Sequence, residues 1–258
     1  MTSFDANRFA ALASERGLSL GAPLSVVEVT GSTNDDALAA ARAGAPHGAT
    51  FVAEAQANGR GRRGRAWASP PGVNLTFSVI VRPSVPLGRV SAVPLVVGLA
   101  VRAAVARRLT TPVELKWPND VLVDGRKLAG VLVESQLSGH RLAALVVGVG
   151  LNVALQEFPA DLAGIATSLA LSGARDLGRE TLLLDVLAAL EERLALFEEH
   201  GLAPLHRELT LHDALAGARV RVDGVAGLAR GIDADGALLV ADAGGALRRV
   251  IAGSVERL

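Results

Sequence analysis

An α+β fold is what this sequence predicts: a mixed sheet with helices layered on it, followed by a small barrel. Three observations carry that expectation. Half of the 258 residues are hydrophobic, which supplies one sizeable core and a small second module. Strand-like and helix-like segments alternate up to about residue 210. Beyond Ala214 only short β runs remain, separated by turns rich in Gly and Asp, and five of them at such close spacing suit a small barrel. The boundary is placed at 210/211, giving units of residues 1–210 and 211–258.

The elements follow in order. Residues 3–16 read as a short helix and 24–29 as a strand. Thr30, Ser32 and Asn34 are good helix N-caps, and Asp35 and Asp36 suit the positive start of the helix they open. The 44–48 stretch, with a glycine at each end, stops it. Residues 50–55 and 74–81 read as strands on either side of an arginine-rich loop. Residues 87–109 form a long apolar helix softened at Pro94 and Gly98. Residues 113–116 and 121–123 are short β pieces, Asp124-Gly125 marks a tight hairpin turn, and 131–136 and 142–153 continue the sheet. Residues 181–200 are a final amphipathic helix.

Composition narrows the function. The formal net charge is zero, which argues against a surface that wraps nucleic acid throughout. There is no cysteine, so disulfides, thiolate nucleophiles and cysteine-bound zinc are excluded. The N-terminus has no secretory signal pattern, and the apolar run 90–101 is short for a bilayer; a soluble, cytoplasmic protein is expected. Of 26 basic residues only Lys116 and Lys127 are lysines, eleven positions apart, as if a compact ammonium were needed at one place. His200, His206 and His212 recur every six residues, which puts no pair on one helix face.

Residues 58–72, NGRGRRGRAWASPPG, hold four arginines and four glycines. They contain a literal G-x-G-x-x-G, but Ser69-Pro70-Pro71-Gly72 forbids the helix a dinucleotide site requires, and the Walker pattern fails at Arg65-Ala66. A flexible loop whose guanidinium groups grip carboxylate or phosphate remains, beside an RNA-binding arginine segment or a solvated turn; the loop alone leaves these open. Residues 116–135, KWPNDVLVDGRKLAGVLVES, place two ammoniums, an amide and a carboxylate on one β-turn-β unit.

Taken in order, GSTNDDA (31–37), the Gln56–Leu75 segment around GRGRRGR, KWPND (116–120), RKLAG-x-L-x-E (126–134) and GVGLNV (148–153) resemble the biotin protein ligases. The resemblance implies a catalytic domain like that of class II aminoacyl-tRNA synthetases followed by an SH3-like barrel. It implies adenylation of biotin by ATP with Mg2+, then transfer to a lysine of the biotin carboxyl carrier protein of acyl-CoA carboxylases. With only about 25 residues before the first strand, no DNA binding is expected; nor is a membrane, and a homodimer is compatible with the resemblance. By matched position, Ser32, Thr33, Asn34, Gln56, Gly59, Arg60, Gly61, Arg62, Lys127 and Gly130 would bind biotin. Arg62, Arg65, Trp67, Lys116, Asn119 and Asn152 would bind ATP, with Trp67 stacking on adenine. Lys127, Arg62 and Asp120 would be catalytic, Asp120 either taking a proton from the incoming lysine or holding magnesium. A lipoate-protein ligase and a nucleic-acid-binding module are the alternatives.

Overall fold

A computed structural model describes residues 3–258. The first unit is a seven-stranded sheet of β1 (Leu24–Thr30), β2 (Thr50–Gln56), β3 (Leu75–Val81), β4 (Val113–Lys116), β5 (Asp120–Val123), β6 (Arg126–Ser138) and β7 (Arg141–Leu151). Its spatial order is β1-β2-β3-β7-β6-β5-β4. β1 and β2 run parallel, joined by α2 (Thr33–Arg42) as their crossover, and every other neighbouring pair is antiparallel. α1 (Ala6–Arg16), α3 (Val93–Ala106) and α4 (Arg179–His200) complete the layers, and α5 (His206–Leu211) leads away from them. The second unit is a five-stranded antiparallel sheet of β8 (Arg219–Val222), β9 (Val225–Ile232), β10 (Leu238–Ala241), β11 (Leu247–Val250) and β12 (Val255–Arg257), ordered β11-β10-β9-β8-β12.

The two faces of the large sheet differ, because alternate residues of a strand point to opposite sides. Phe77, Val79, Val147, Val149 and Val131 face α3 and α4 in the main core. On the other face, Ile80, Ala144 and Val146 pack against Ala37 and Ala41 of α2. Further along that face the residues change character. The register aligns Ser78 with Gly148, Gly148 with Leu132, Thr76 with Gly150 and Gly150 with Gly130. Where α2 stops covering the sheet, small and polar residues replace apolar ones, and this uncovered floor holds the site.

Three elements differ from the sequence expectation. The helix expected over 87–109 divides into a 3-10 turn, Leu87–Ala92, and α3, with Pro94 in the first turn of α3. A proline is at home there because its missing N–H has no intrahelical partner to lose. The Leu87–Ala106 span is long and apolar enough to cross a bilayer by length and composition, yet α3 is buried between sheet and α4, with Val93, Val96, Leu99 and Val101 fully covered. β6 starts five residues earlier than expected, directly after the Asp124-Gly125 turn, whose residues both have positive φ (51° and 69°). The first helix starts at Ala6, capped by the Asp5 side chain on Arg8 N–H.

Behind the site, Glu54 of β2 and Arg179 of α4 form a buried ion pair, 5% and 3% exposed, with Nη1–Oε2 at 2.6 Å and Nη2–Oε1 at 3.0 Å. Phe4 N–H donates to the same carboxylate at 2.6 Å. Burial alone would raise the Glu54 pKa; the Arg179 and Phe4 hydrogen bonds outweigh it and hold the carboxyl below its ordinary value.

Candidate active site

A cleft of about 490 Å³ opens over the uncovered floor. Five cations line it, Arg60, Arg62, Arg65, Lys116 and Lys127, against one carboxylate, Asp120, among the described residues. Burial lowers the pKa of Lys116, with neighbouring Asp120 opposing and Lys127 reinforcing the shift. Burial likewise lowers that of Arg62, reinforced by adjacent Arg63. Partly desolvated cations that repel one another are a receptor for anions, since an incoming negative charge relieves both penalties.

The arginine loop is ordered by its own backbone. Trp67 N–H donates to Gly59 O at 2.8 Å and Gly61 N–H to Arg65 O at 2.7 Å, so the loop is a narrow hairpin with a three-residue 3-10 turn, Arg62–Gly64, at its tip. No longer helix follows, in line with the proline-rich segment behind it. Gly59 must lack a side chain: a Cβ there would lie 2.4 Å from Trp67 O and 2.9 Å from Gln56 Nε2. The tip reaches the second sheet. Arg63 makes a bidentate pair with Asp223 in the β8–β9 turn, and Arg65 donates to Ser254 before β12.

The floor is built to receive side chains and ligands at close range. A Cβ on Gly148 would lie 2.0 Å from Asn34 Oδ1, and one on Gly150 2.2 Å from Trp67 Cε2. The Trp67 ring rests on Gly150 and Gly130, its Nε1 buried without a partner. Lys127 Nζ lies 5.4 Å from the centre of that ring and 2.7 Å from Asp120 Oδ1. Lys127 is fixed further by its backbone, which bonds to Ile165 O and Thr167 N–H. Arg62 Nη1 donates to Asn119 Oδ1 at 3.2 Å, while Asn119 Nδ2 donates to Val131 O at 2.7 Å.

At the other end of the cleft Ser32, Thr33 and Asn34 are all buried. Ser32 is the N-cap of α2, yet its side chain makes no capping bond and faces the cleft. Thr33 N–H and Oγ1 both reach Gln56 Oε1, at 2.9 and 3.1 Å. The Gln56 carbonyl is therefore occupied, and its NH2 is left as a donor.

Every residue singled out from the sequence lines this cleft except Gly59, which shapes the loop from behind. Three of them are bonded to residues outside the predicted set. The Asn152 amide is tied to Asn74 (3.4 Å) and Thr167 O (3.0 Å), so it braces the wall. Arg65 turns to Ser254, and Arg60 turns outward to Asp35 and Glu134. Sequence reasoning missed Gly148, Gly150, Ser78, Ser254 and the apolar rim of Leu155, Phe158, Leu162 and Ile165. The glycines carried a signal, since GVG places both on one face of a strand; Ser78 and the rim carried none. No group of three or more His, Asp or Glu positioned to hold a metal occurs among the described residues. Asp120 with its lysine partner does not make a magnesium cage, so any magnesium would depend on ligands brought by the substrate.

A cationic cleft on a half-covered mixed sheet, closed from one side by a small antiparallel sheet, defines an enzyme that handles anionic small molecules. Residues 26–152 match the Biotin/lipoate A/B protein ligase family and residues 219–258 the Biotin protein ligase C terminal domain. The chain is 40% identical over 245 residues to the biotin–[acetyl-CoA-carboxylase] ligase of Mycobacterium tuberculosis, covering 91% of this chain and 89% of that one. It is 34% identical to the enzyme of the same name from Paracoccus denitrificans, over 82% and 91% of the two chains. The structure of the Aquifex aeolicus biotin protein ligase in complex with biotin and ATP superposes with a TM-score of 0.79 at 31% identity, over 91% of this chain and 99% of that one. The chain belongs to the biotin protein ligase family.

Proposed function

We propose that the chain activates biotin with ATP as biotinyl-5′-AMP and transfers the biotinyl group to a lysine of a carboxylase carrier protein, residues 1–210 carrying the chemistry and 211–258 closing the cleft. The observation that carries this reading is the charge of the cleft, five cations against one carboxylate. In the first step the biotin carboxylate attacks the α-phosphate and pyrophosphate leaves. Two anions must meet, and fixed cations in a partly dry site offset their repulsion far better than water does. Lys127, 2.7 Å from Asp120, exchanges that partner for the substrate anions. In the second step the acceptor amine attacks the acyl carbonyl and AMP leaves; in this reading Asp120, released from Lys127, takes the amine proton. Magnesium held chiefly by the triphosphate and a cytoplasmic setting are part of the same proposal. The test is exchange of labelled pyrophosphate into ATP: biotin should support it and lipoate should not. Exchange that ignores biotin would overturn the reading.

Two variants check the assignment of the two ends. Gly148→Ala forces a methyl group against Asn34 and is expected to destabilise the fold by about 1–3 kcal/mol of overpacking and, by displacing Asn34, to weaken biotin binding measured by calorimetry; undiminished affinity would place biotin elsewhere. Arg62→Gly removes a half-buried guanidinium beside Asn119 but leaves Lys127 and Lys116. It should still form adenylate and then release it, so that bystander proteins become biotinylated. Labelling that stays confined to the carrier protein would refute a retaining role for Arg62.

A further inference from the structure

Glu134 lies on β6, off the cleft wall, and its Oε2 is the meeting point of two bonds. Asn34 Nδ2 donates to it at 2.7 Å and Arg60 Nη2 at 2.8 Å. An ionised carboxylate only accepts hydrogen bonds. Asn34 must therefore turn its NH2 toward Glu134 and its Oδ1 inward, where it lies 2.6 Å from Ser78 Oγ. Ser78 is fully buried, and its single proton faces two acceptors, Asn34 Oδ1 and, at 2.8 Å, Thr33 Oγ1. Thr33 in turn holds Gln56 Oε1 by its N–H and hydroxyl. Contacts thus link Glu134 through Asn34, Ser78 and Thr33 to Gln56; the single Ser78 proton serves one of its two acceptors at a time, so the orientation that Glu134 imposes is that of the Asn34 amide, with Oδ1 turned to Ser78. The same carboxylate, with Asp35, tethers the arginine loop through Arg60, and Asp223 tethers it through Arg63.

We infer that Glu134 is a positioning residue. It fixes the orientation of the Asn34 amide at the polar end of the cleft, and together with Asp35 it holds Arg60 at the base of the arginine loop. The inference rests on the ligase reading, since it assigns biotin to that end. Because Glu134 touches no reacting atom, its removal should act on biotin and on retention of the adenylate, and leave ATP alone.

The test compares Glu134→Ala, Glu134→Gln, Arg60→Ala and the Glu134→Ala/Arg60→Ala double variant in biotin-dependent pyrophosphate exchange, with release of biotinyl-AMP followed separately. Glu134→Ala should raise the KM for biotin about 10- to 100-fold, the order expected for losing a hydrogen bond to a charged acceptor, with the KM for ATP within about twofold of wild type. Glu134→Gln keeps a carbonyl for Asn34 and should restore most of the biotin KM, but it leaves Arg60 with Asp35 as its one charged partner and should release adenylate faster than wild type, up to the rate of Arg60→Ala. The double variant should release adenylate no faster than Arg60→Ala alone. Wild-type biotin KM and adenylate release in Glu134→Ala would overturn the inference, as would equal increases in both KM values that Gln does not rescue. Should Glu134→Ala fail to fold, Glu134→Gln with wild-type release would overturn the tether. Failure of wild type itself to exchange with biotin would instead sink the ligase reading.

Discussion

Lys127→Ala is expected to abolish most biotin-dependent pyrophosphate exchange, a drop of about 100- to 1,000-fold, the range for deleting one pre-placed electrostatic group at a developing charge. Lys127 is held on three sides: by Asp120 at 2.7 Å, by the Trp67 ring, and by its backbone bonds to the 165–167 segment. Little else could place a compact ammonium there, because Lys116 is the only other lysine in the sequence and a guanidinium carries its charge in a broader plane. Folding should barely change. The pair with Asp120 is 33% and 22% exposed, and solvent-screened pairs contribute about 0–1 kcal/mol. Urea unfolding beside exchange assays separates the two effects. A variant that unfolds with the wild type but exchanges at the wild-type rate would remove Lys127 from the chemistry.

Glu54→Ala is expected to destabilise the protein by about 3–5 kcal/mol, the cost of leaving one member of a buried ion pair behind. That is a large part of the roughly 5–15 kcal/mol that keeps a domain folded. Arg179 would stay buried between β2 and α4 without its carboxylate, and Phe4 N–H would lose its acceptor. The pH dependence has a definite sign. The Glu54 carboxyl is depressed below its ordinary value of 4.5, so its contribution is complete above that pH and is lost as pH falls through the lower folded value. Chemical unfolding at pH 7 gives the first effect. A pH series below 4.5 gives the second, in which Glu54→Gln should flatten the decline; an unchanged decline would assign acid sensitivity to other carboxylates.

Most of the fold was legible because its elements are locally specified. The Asp124-Gly125 turn, the alternation read over residues 74–81, and the acidic start of α2 announce themselves within a few residues. The divided helix was harder, since Pro94 interrupts one apolar run whether it bends a helix or begins one. In the site, the charged residues were legible because a charge in a glycine-rich loop or a tight turn needs an explanation. Their partners were not. Glu134, Asp223 and Ser254 are respectively 74, 160 and 189 positions from the arginines they meet, and no local pattern encodes a contact made by sheet register and by the packing of two units. Asn152 shows the same limit from the other side: an amide legible as a site residue turned out to be committed to Asn74 and Thr167.

Trp117 gives the division into two units a different meaning. Its indole is 2% exposed, and its N–H is donated across to Gly236 O, at the turn before β10, at 2.9 Å. The tryptophan of KWPND, one residue from Asn119's neighbour Pro118, is thus rooted in the far module, and the arginine hairpin is clasped by that module at Asp223 and Ser254. A fragment ending before β8 would lack the Gly236 acceptor of that indole and both anchors of the hairpin tip. The last forty residues thus supply one wall of the cleft, through Gly253, Ser254 and Val255, and anchor the tip of the hairpin that covers it, so the small sheet serves as a fixed abutment for a loop whose other end belongs to the large one.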